Sequence, residues 1–323
     1  MHGFDGNAAE LPIGLFDSGV GGLTVLAALR KRLPNERYCY LGDTARLPYG
    51  TKSSGTIVRY SLQATEKLVE RQIKLLVVAC NTATAAALPE LRKAYAPLPV
   101  IGVVEPGARA ACAAVNGKPG GGSIIVMATE STIRGAAYTK AIHALRPDVS
   151  VTGVPCSLFV SLAEEGWMDG PIAEGIAARY LAHALEQSKP DCIVLGCTHF
   201  PPLAASIAAV AGKDVIMVDS AATTAEAVEE ELRRLALIRP GVCNSHVVEA
   251  NELRCGLRPH PPGTGRPWTR QMGSSVAESI HSEDAPNGLL HFLTTDAPER
   301  FARVGSLFLG VPIDPGRIEL VVL

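Results

Sequence analysis

The stretch Leu75-Leu76-Val77-Val78-Ala79-Cys80-Asn81-Thr82 decides the architecture. Its Leu and Val run reads as a strand buried on both faces, the habit of a parallel sheet covered by helices. The run stops on a thiol followed by two polar residues. The pattern returns as Val194-Leu195-Gly196-Cys197-Thr198-His199. A strand that delivers a thiol at its carboxyl end occurs twice in the chain.

Working outward, the same rhythm fills the chain from Pro12 to about Pro240. Strands are expected at Ile13–Phe16, Tyr38–Leu41, Leu75–Ala79, Val100–Val104, Ile124–Met127, Val151–Val154, Cys192–Leu195 and Val215–Val218. Amphipathic segments lie between them. One sets Val58, Leu62 and Val69 on a face, another Ile172, Ile176, Tyr180 and Ala184. Strand–helix alternation of this kind predicts an α/β fold with parallel sheets. Asp17-Ser18-Gly19, Asp43, Cys80-Asn81-Thr82, Glu105, Thr129 and Cys197-Thr198-His199 all sit at strand ends. Ligands of open parallel sheets bind beyond those ends. The Asp17 turn precedes Cys80 by 63 residues, and the Thr129 turn precedes Cys197 by 68. Such similar offsets suggest two related α/β halves, each offering one thiol. From Gly241 to Asn287 the pattern lapses into Pro and Gly, as in an irregular insertion. Order is expected again at Leu289–Phe292 and in a helix over Pro298–Leu309.

Bulk properties exclude several functions. Apolar residues make up 47% and charged residues 19%, which suits a folded chain and not a disordered one. The net charge of −2 gives no reason to expect nucleic acid or an anionic membrane as partner. No apolar run approaches the length of a membrane span. The segment Met1 to Leu11 carries Asp5 and Glu10 and lacks the apolar core of a signal peptide. A cytoplasmic location is expected, where the eight cysteines stay reduced.

Two thiols at matched strand ends suggest acid–base chemistry. Each lies where a helix begins, and the partial positive charge there favours thiolate. Thiols on opposite sides of one carbon can remove a proton from one face and deliver one to the other, inverting the centre. One buried cysteine alone would read as a small hydrophobe; two in the same context do not. Asp17 and His199 are candidate partners, although Asp17 or Ser18 also suits a helix cap and His199 a turn. The Gly19-Val20-Gly21-Gly22 turn can present N–H groups to an anion. Neither G-x-G-x-x-G nor a Walker sequence is present, so a nucleotide-dependent enzyme is a weak alternative.

These residues resemble the glutamate racemases of the aspartate/glutamate racemase superfamily. The matching blocks are Phe16 to Gly22, Asp43 to Pro48-Tyr49-Gly50, Ala79 to Thr84, Gly102 to Pro106, Thr129 with Thr132 and Tyr138, Gly196 to Pro201, Asp219-Ser220-Ala221, and His291-Phe292 to Gly310. Two similar domains related by pseudo-symmetry are implied, with the active site in the cleft between them. Residues 1–103 with 218–323 would form the first, carrying 241–287 as an insertion, and 104–217 the second. The resemblance implies that Cys80 acts on D-glutamate and Cys197 on L-glutamate, assisted by Asp17 and His199 with Glu105 nearby. Ser18, Pro48, Tyr49, Gly50, Asn81, Thr82, Thr132 and Thr198 would hold the substrate. No pyridoxal phosphate or metal is implied, and D-glutamate would feed peptidoglycan synthesis. A homodimer is the expected assembly.

Two features depart from the family. Ala128 replaces a usual glycine, and the 241–287 stretch is long. Cys243, His246, Cys255 and His260 within that stretch have spacings open to zinc, in an atypical order. The rival readings are a racemase for aspartate or a hydantoin, and a non-enzymatic inhibitor of a nucleic-acid enzyme.

Overall fold

The computed structural model describes residues 8–187, 189–240 and 290–323. The 241–287 stretch, with its Cys and His quartet, lies outside them, as do residues 1–7.

In chain order the elements are β1 (Ile13–Asp17), α1 (Leu23–Arg32), β2 (Tyr38–Gly42), α2 (Ser54–Val69), β3 (Leu75–Val78), α3 (Asn81–Ala94), β4 (Val100–Gly102) and α4 (Val104–Ala114). Next come β5 (Ser123–Ala128), α5 (Glu130–Gly135), α6 (Ala137–Leu145), β6 (Ser150–Pro155), α7 (Leu158–Glu164), α8 (Gly170–Gln187), β7 (Cys192–Gly196), α9 (Ala204–Ala211) and β8 (Ile216–Asp219). The chain continues with α10 (Ser220–Arg234), β9 (Leu290–Thr294), α11 (Pro298–Leu309) and β10 (Ile318–Leu320).

Two parallel sheets result. The first has six strands in the order β10-β9-β2-β1-β3-β4, the second four in the order β6-β5-β7-β8. Within these lies a repeat. Numbering strands within each half, both sheets carry the order 2-1-3-4, with β1 beside β3 and β5 beside β7 in parallel register. The two-half architecture expected from the thiol spacing is therefore present as topology. β1, β3 and β7 are buried along their whole length. One large core cluster joins Leu23, Val77 and Val103 to Met127, Leu195 and Phe200, so the halves share an interior.

Local chemistry sets the helix limits. Ser53 caps α2 through the Thr56 N–H, and Asp219 caps α10 by accepting from the Ala221 N–H at 2.8 Å. α11 starts on Pro298 and stops at Gly310, which takes the left-handed conformation at φ 77°.

Three expectations need correction. The strand expected to run to Val104 ends at Gly102, and Val104 opens α4, whose first turn accommodates Pro106. The helix faces are offset by one residue along most of their length, although Ala184 is buried as expected. α2 buries Ile57, Ser61, Ala64 and Leu68, leaving Val69 exposed, and α8 buries Ala173, Ala177, Leu181 and Ala184, leaving Ile172 exposed. Small side chains on those faces allow closer helix approach than a bulkier stripe would. Finally, β10 was not anticipated. It is a short, half-exposed edge strand without an apolar run to announce it.

Candidate active site

Four strand ends converge. β1 ends in Asp17, β3 runs into Cys80, β5 into Thr129 and β7 into Cys197. In each sheet the first and third strands of the half are neighbours, and this is the place where successive crossovers leave in opposite directions. A crevice forms at such a switch point. Here two crevices face each other and enclose a cavity of about 40 Å³. Ser18, Pro48, Tyr49, Gly50, Cys80, Asn81, Thr82, Cys197, Thr198 and His199 all line it. Thr132 stands behind the wall, within 3.2 Å of the Thr82 hydroxyl.

Cys80 is the N-cap of α3. The Ala83 N–H donates to its Sγ at 3.4 Å, and its thiol faces the Ser18 Oγ at 3.6 Å. Burial pushes the thiol up to about 12, and the neighbouring Asp17 carboxylate adds to the rise; the Ala83 N–H and the Ser18 hydroxyl oppose it. Asp17 is fully buried under the glycine turn. Its Oδ2 accepts from the Gly19 N–H at 3.1 Å, and its Oδ1 has no hydrogen-bond partner among the described residues. Burial raises the Asp17 carboxyl above the usual carboxylate range, against the pull of the His199 charge.

The Cys197 side is built differently. His199 Nδ1 lies 3.9 Å from Cys197 Sγ, and His199 Nε2 lies 3.1 Å from Glu164 Oε1. The other oxygen of Glu164 accepts from Arg300 Nη2 at 2.9 Å. Burial alone would lower His199. Hydrogen bonds to Cys197 and Glu164, with the charges of Cys197 and Asp17, lift it instead to about 10. Burial likewise opposes ionisation of Glu164, but His199 and Arg300 hold it below the usual carboxylate range. With both ring nitrogens protonated, His199 donates towards the thiol on one side and to Glu164 on the other.

The halves meet through small groups. The Thr82, Thr129 and Thr132 hydroxyls form a triangle with sides of 2.9, 3.2 and 3.0 Å. The Tyr138 hydroxyl donates to Asn81 Oδ1 at 2.7 Å, and the buried Asn81 Nδ2 has no hydrogen-bond partner among the described residues. Gly21 is needed for clearance. A Cβ there would stand 2.4 Å from Thr198 Oγ1 and 2.5 Å from the His199 ring.

Comparison with known proteins agrees with this construction. The sequence profile of the Asp/Glu/hydantoin racemases matches residues 24–228. A glutamate racemase of Syntrophus aciditrophicus is 46% identical over 317 residues, covering 97% of this chain and 99% of its own. Another from Geobacter metallireducens is 44% identical over 298 residues, covering 92% of each. The chain belongs to the Asp/Glu/hydantoin racemase family, among its glutamate racemases. The solved Francisella tularensis glutamate racemase, a complex with D-glutamate, superposes on this racemase with a TM-score of 0.76 at 30% identity. The match covers 97% of this chain and 98% of that one. The Thermus thermophilus glutamate racemase, bound to β-chloro-D-alanine, does so at 0.72 and 34% identity.

Asp17, Thr132 and Glu105 are the expected site residues that do not line the cavity. Glu105 is the second residue of α4, half exposed, and forms a paired contact with Arg92 at 2.8 and 2.9 Å. The carboxylate beside His199 in this racemase is Glu164, at the end of α7. Nothing in the sequence separates it from the adjacent Glu165. Among the described residues no cluster of three or more His, Cys, Asp or Glu is placed to hold a metal ion.

Proposed function

We propose that this chain interconverts L- and D-glutamate by a two-thiol mechanism and so supplies D-glutamate for peptidoglycan. The carrying observation is that Cys80 and Cys197 line one cavity from equivalent strand ends of two facing halves. In the L to D direction, the Cys197 thiolate takes the α-proton, forming an S–H bond and leaving the electron pair on Cα. Cys80 then delivers its own proton to the opposite face. The two sulfurs end with their protonation states exchanged. A Cys80 thiol pushed up to about 12 enters that step protonated, as a donor must be. In the reverse direction Cys80 must ionise. The Ala83 N–H, the Ser18 hydroxyl and the substrate ammonium all favour its thiolate. His199, charged near neutral pH and ion-paired to Glu164, holds a proton against Cys197.

The remaining wall suits an amino-acid dicarboxylate. The free Asn81 Nδ2, the Thr82 and Thr198 hydroxyls and the backbone N–H groups opening α3 offer neutral donors. Such donors, fixed before reaction in a site closed to water, stabilise the carbanion without a pyridoxal ring. Solvent deuterium incorporation tests the mechanism. Cys80→Ser and Cys197→Ser should each lose racemisation by at least about 10³-fold. Wild-type-like racemisation by either variant removes that thiol from the reaction.

Two coarser expectations complete the reading. Among the described residues no helix is long and apolar enough to cross a membrane, and the six described cysteines are all free; both fit a cytoplasmic enzyme. We further propose a homodimer, in which exposed apolar side chains such as Trp167 and Leu307 would be covered. Sedimentation as a monomer at micromolar concentration would refute the dimer.

A further inference from the structure

The function proposed above gives His199 a role but leaves unexplained what holds it. Both supports come from α11, a helix that follows β9 of the other sheet. Arg300, in its first turn, donates to Glu164 Oε2 at 2.9 Å, while Glu164 Oε1 binds His199. Eight residues on, the Phe308 ring meets the His199 ring edge-on, with centroids 5.2 Å apart and planes at 75°. The helix is itself anchored. Phe301, Val304 and Phe308 are buried. Just before it, Thr295 donates to Asp43 Oδ1 at 3.0 Å and accepts from the Ala45 N–H at 2.9 Å. Asp43 also accepts from Tyr49, which lines the substrate cavity. Asp17, the corresponding carboxyl on the Cys80 side, has no lysine or arginine partner among the described residues.

We infer that Arg300 is a positioning residue for one half-reaction only: through Glu164 it aligns the His199 imidazolium on Cys197, and it leaves Cys80 untouched. This rests on the two-thiol reading. Arg300 occupies one oxygen of Glu164, keeps that carboxylate ionised and fixes its plane, so the other oxygen faces His199. Glu164 is only 10% exposed, whereas the arginine is 47% exposed, so a substitution at 300 leaves the core intact.

The equilibrium constant between enantiomers is one. Any loss in kcat/KM must therefore be equal in the two directions, and rates alone cannot show which thiol is affected. Primary isotope effects can. With α-deuterated L-glutamate the label is removed by Cys197, and with α-deuterated D-glutamate by Cys80. Arg300→Met should lower kcat/KM roughly three- to tenfold in both directions, the scale of a half-exposed ion pair. As proton transfer at Cys197 becomes more limiting, the ratio of the L to the D isotope effect should rise. Arg300→Lys, which keeps one charged donor, should restore most of the rate and the wild-type ratio. Wild-type kcat/KM in Arg300→Met, an unchanged isotope ratio, or failure of Arg300→Lys to restore it would overturn the inference. Failure of the wild-type enzyme to racemise glutamate would instead overturn the proposed function.

Discussion

Cys80 and Cys197 each follow the third strand of a 2-1-3-4 order, yet their surroundings share almost nothing else. Cys80 has a neutral hydroxyl, a backbone N–H and a buried carboxyl whose protonation burial favours. Cys197 has an imidazole, a carboxylate and an arginine in series. A repeated fold thus supplies two sulfurs at matched positions, and the different side chains around them give each its own proton chemistry. The difference follows from what the halves recruit. The first half keeps to its own β1 turn, whereas the second borrows α11 from the first.

Double mutants give the sharpest test of that asymmetry. His199→Gln should cost on the order of 10²-fold in kcat/KM. Adding Glu164→Gln should cost little more, because the two act as one relay. Steady-state kinetics of the two single variants and the double variant decide it, and multiplicative losses for the His199 and Glu164 pair would break the comparison.

A smaller effect is expected where the halves touch. Gly21→Ala should destabilise by roughly 1–3 kcal/mol, visible as several degrees in thermal unfolding. Gly50→Ala, whose Cβ would meet Thr129 at 3.0 Å, should cost less. Equal melting points for the two variants would show that the contact at His199 yields easily.

The charged relay should also show in stability against pH. The folded pKa of His199, about 10, lies above its ordinary 6.5, so its contribution is complete below 6.5 and fades as pH rises through 10. Glu164 is lowered, so its contribution is complete above its ordinary 4.5 and is lost on acidification. The melting-point gap between wild type and His199→Gln should be widest between pH 4.5 and 6.5 and should narrow by pH 10. A gap that grows with pH would contradict the assignment. The smallest effect belongs to Glu105→Gln. Less than a twofold change in kcat/KM is expected, since its partner Arg92 lies outside the cavity. A loss matching that of Glu164→Gln would restore Glu105 to the site.

Much of this was legible beforehand. The first eight strands lie within two residues of their expected ends, because doubly covered strands need unbroken Leu, Val and Ile runs. α11 was legible from Pro298 and its apolar period. Glu105 misled because it follows Val103-Val104 and looked like a strand-end carboxylate. The strand stops at Gly102, so the residue turns outward on α4.

By itself the sequence determined the paired strand–thiol units, their order and the polar residues at their ends. These are local matters of hydrophobic run length and of what interrupts it. Only the tertiary structure decided which carboxylate reaches His199, that α11 crosses to support it, and that Gly21 must lack a Cβ. Those are contacts between segments far apart in the chain, and no local pattern records which side chain will be opposite which.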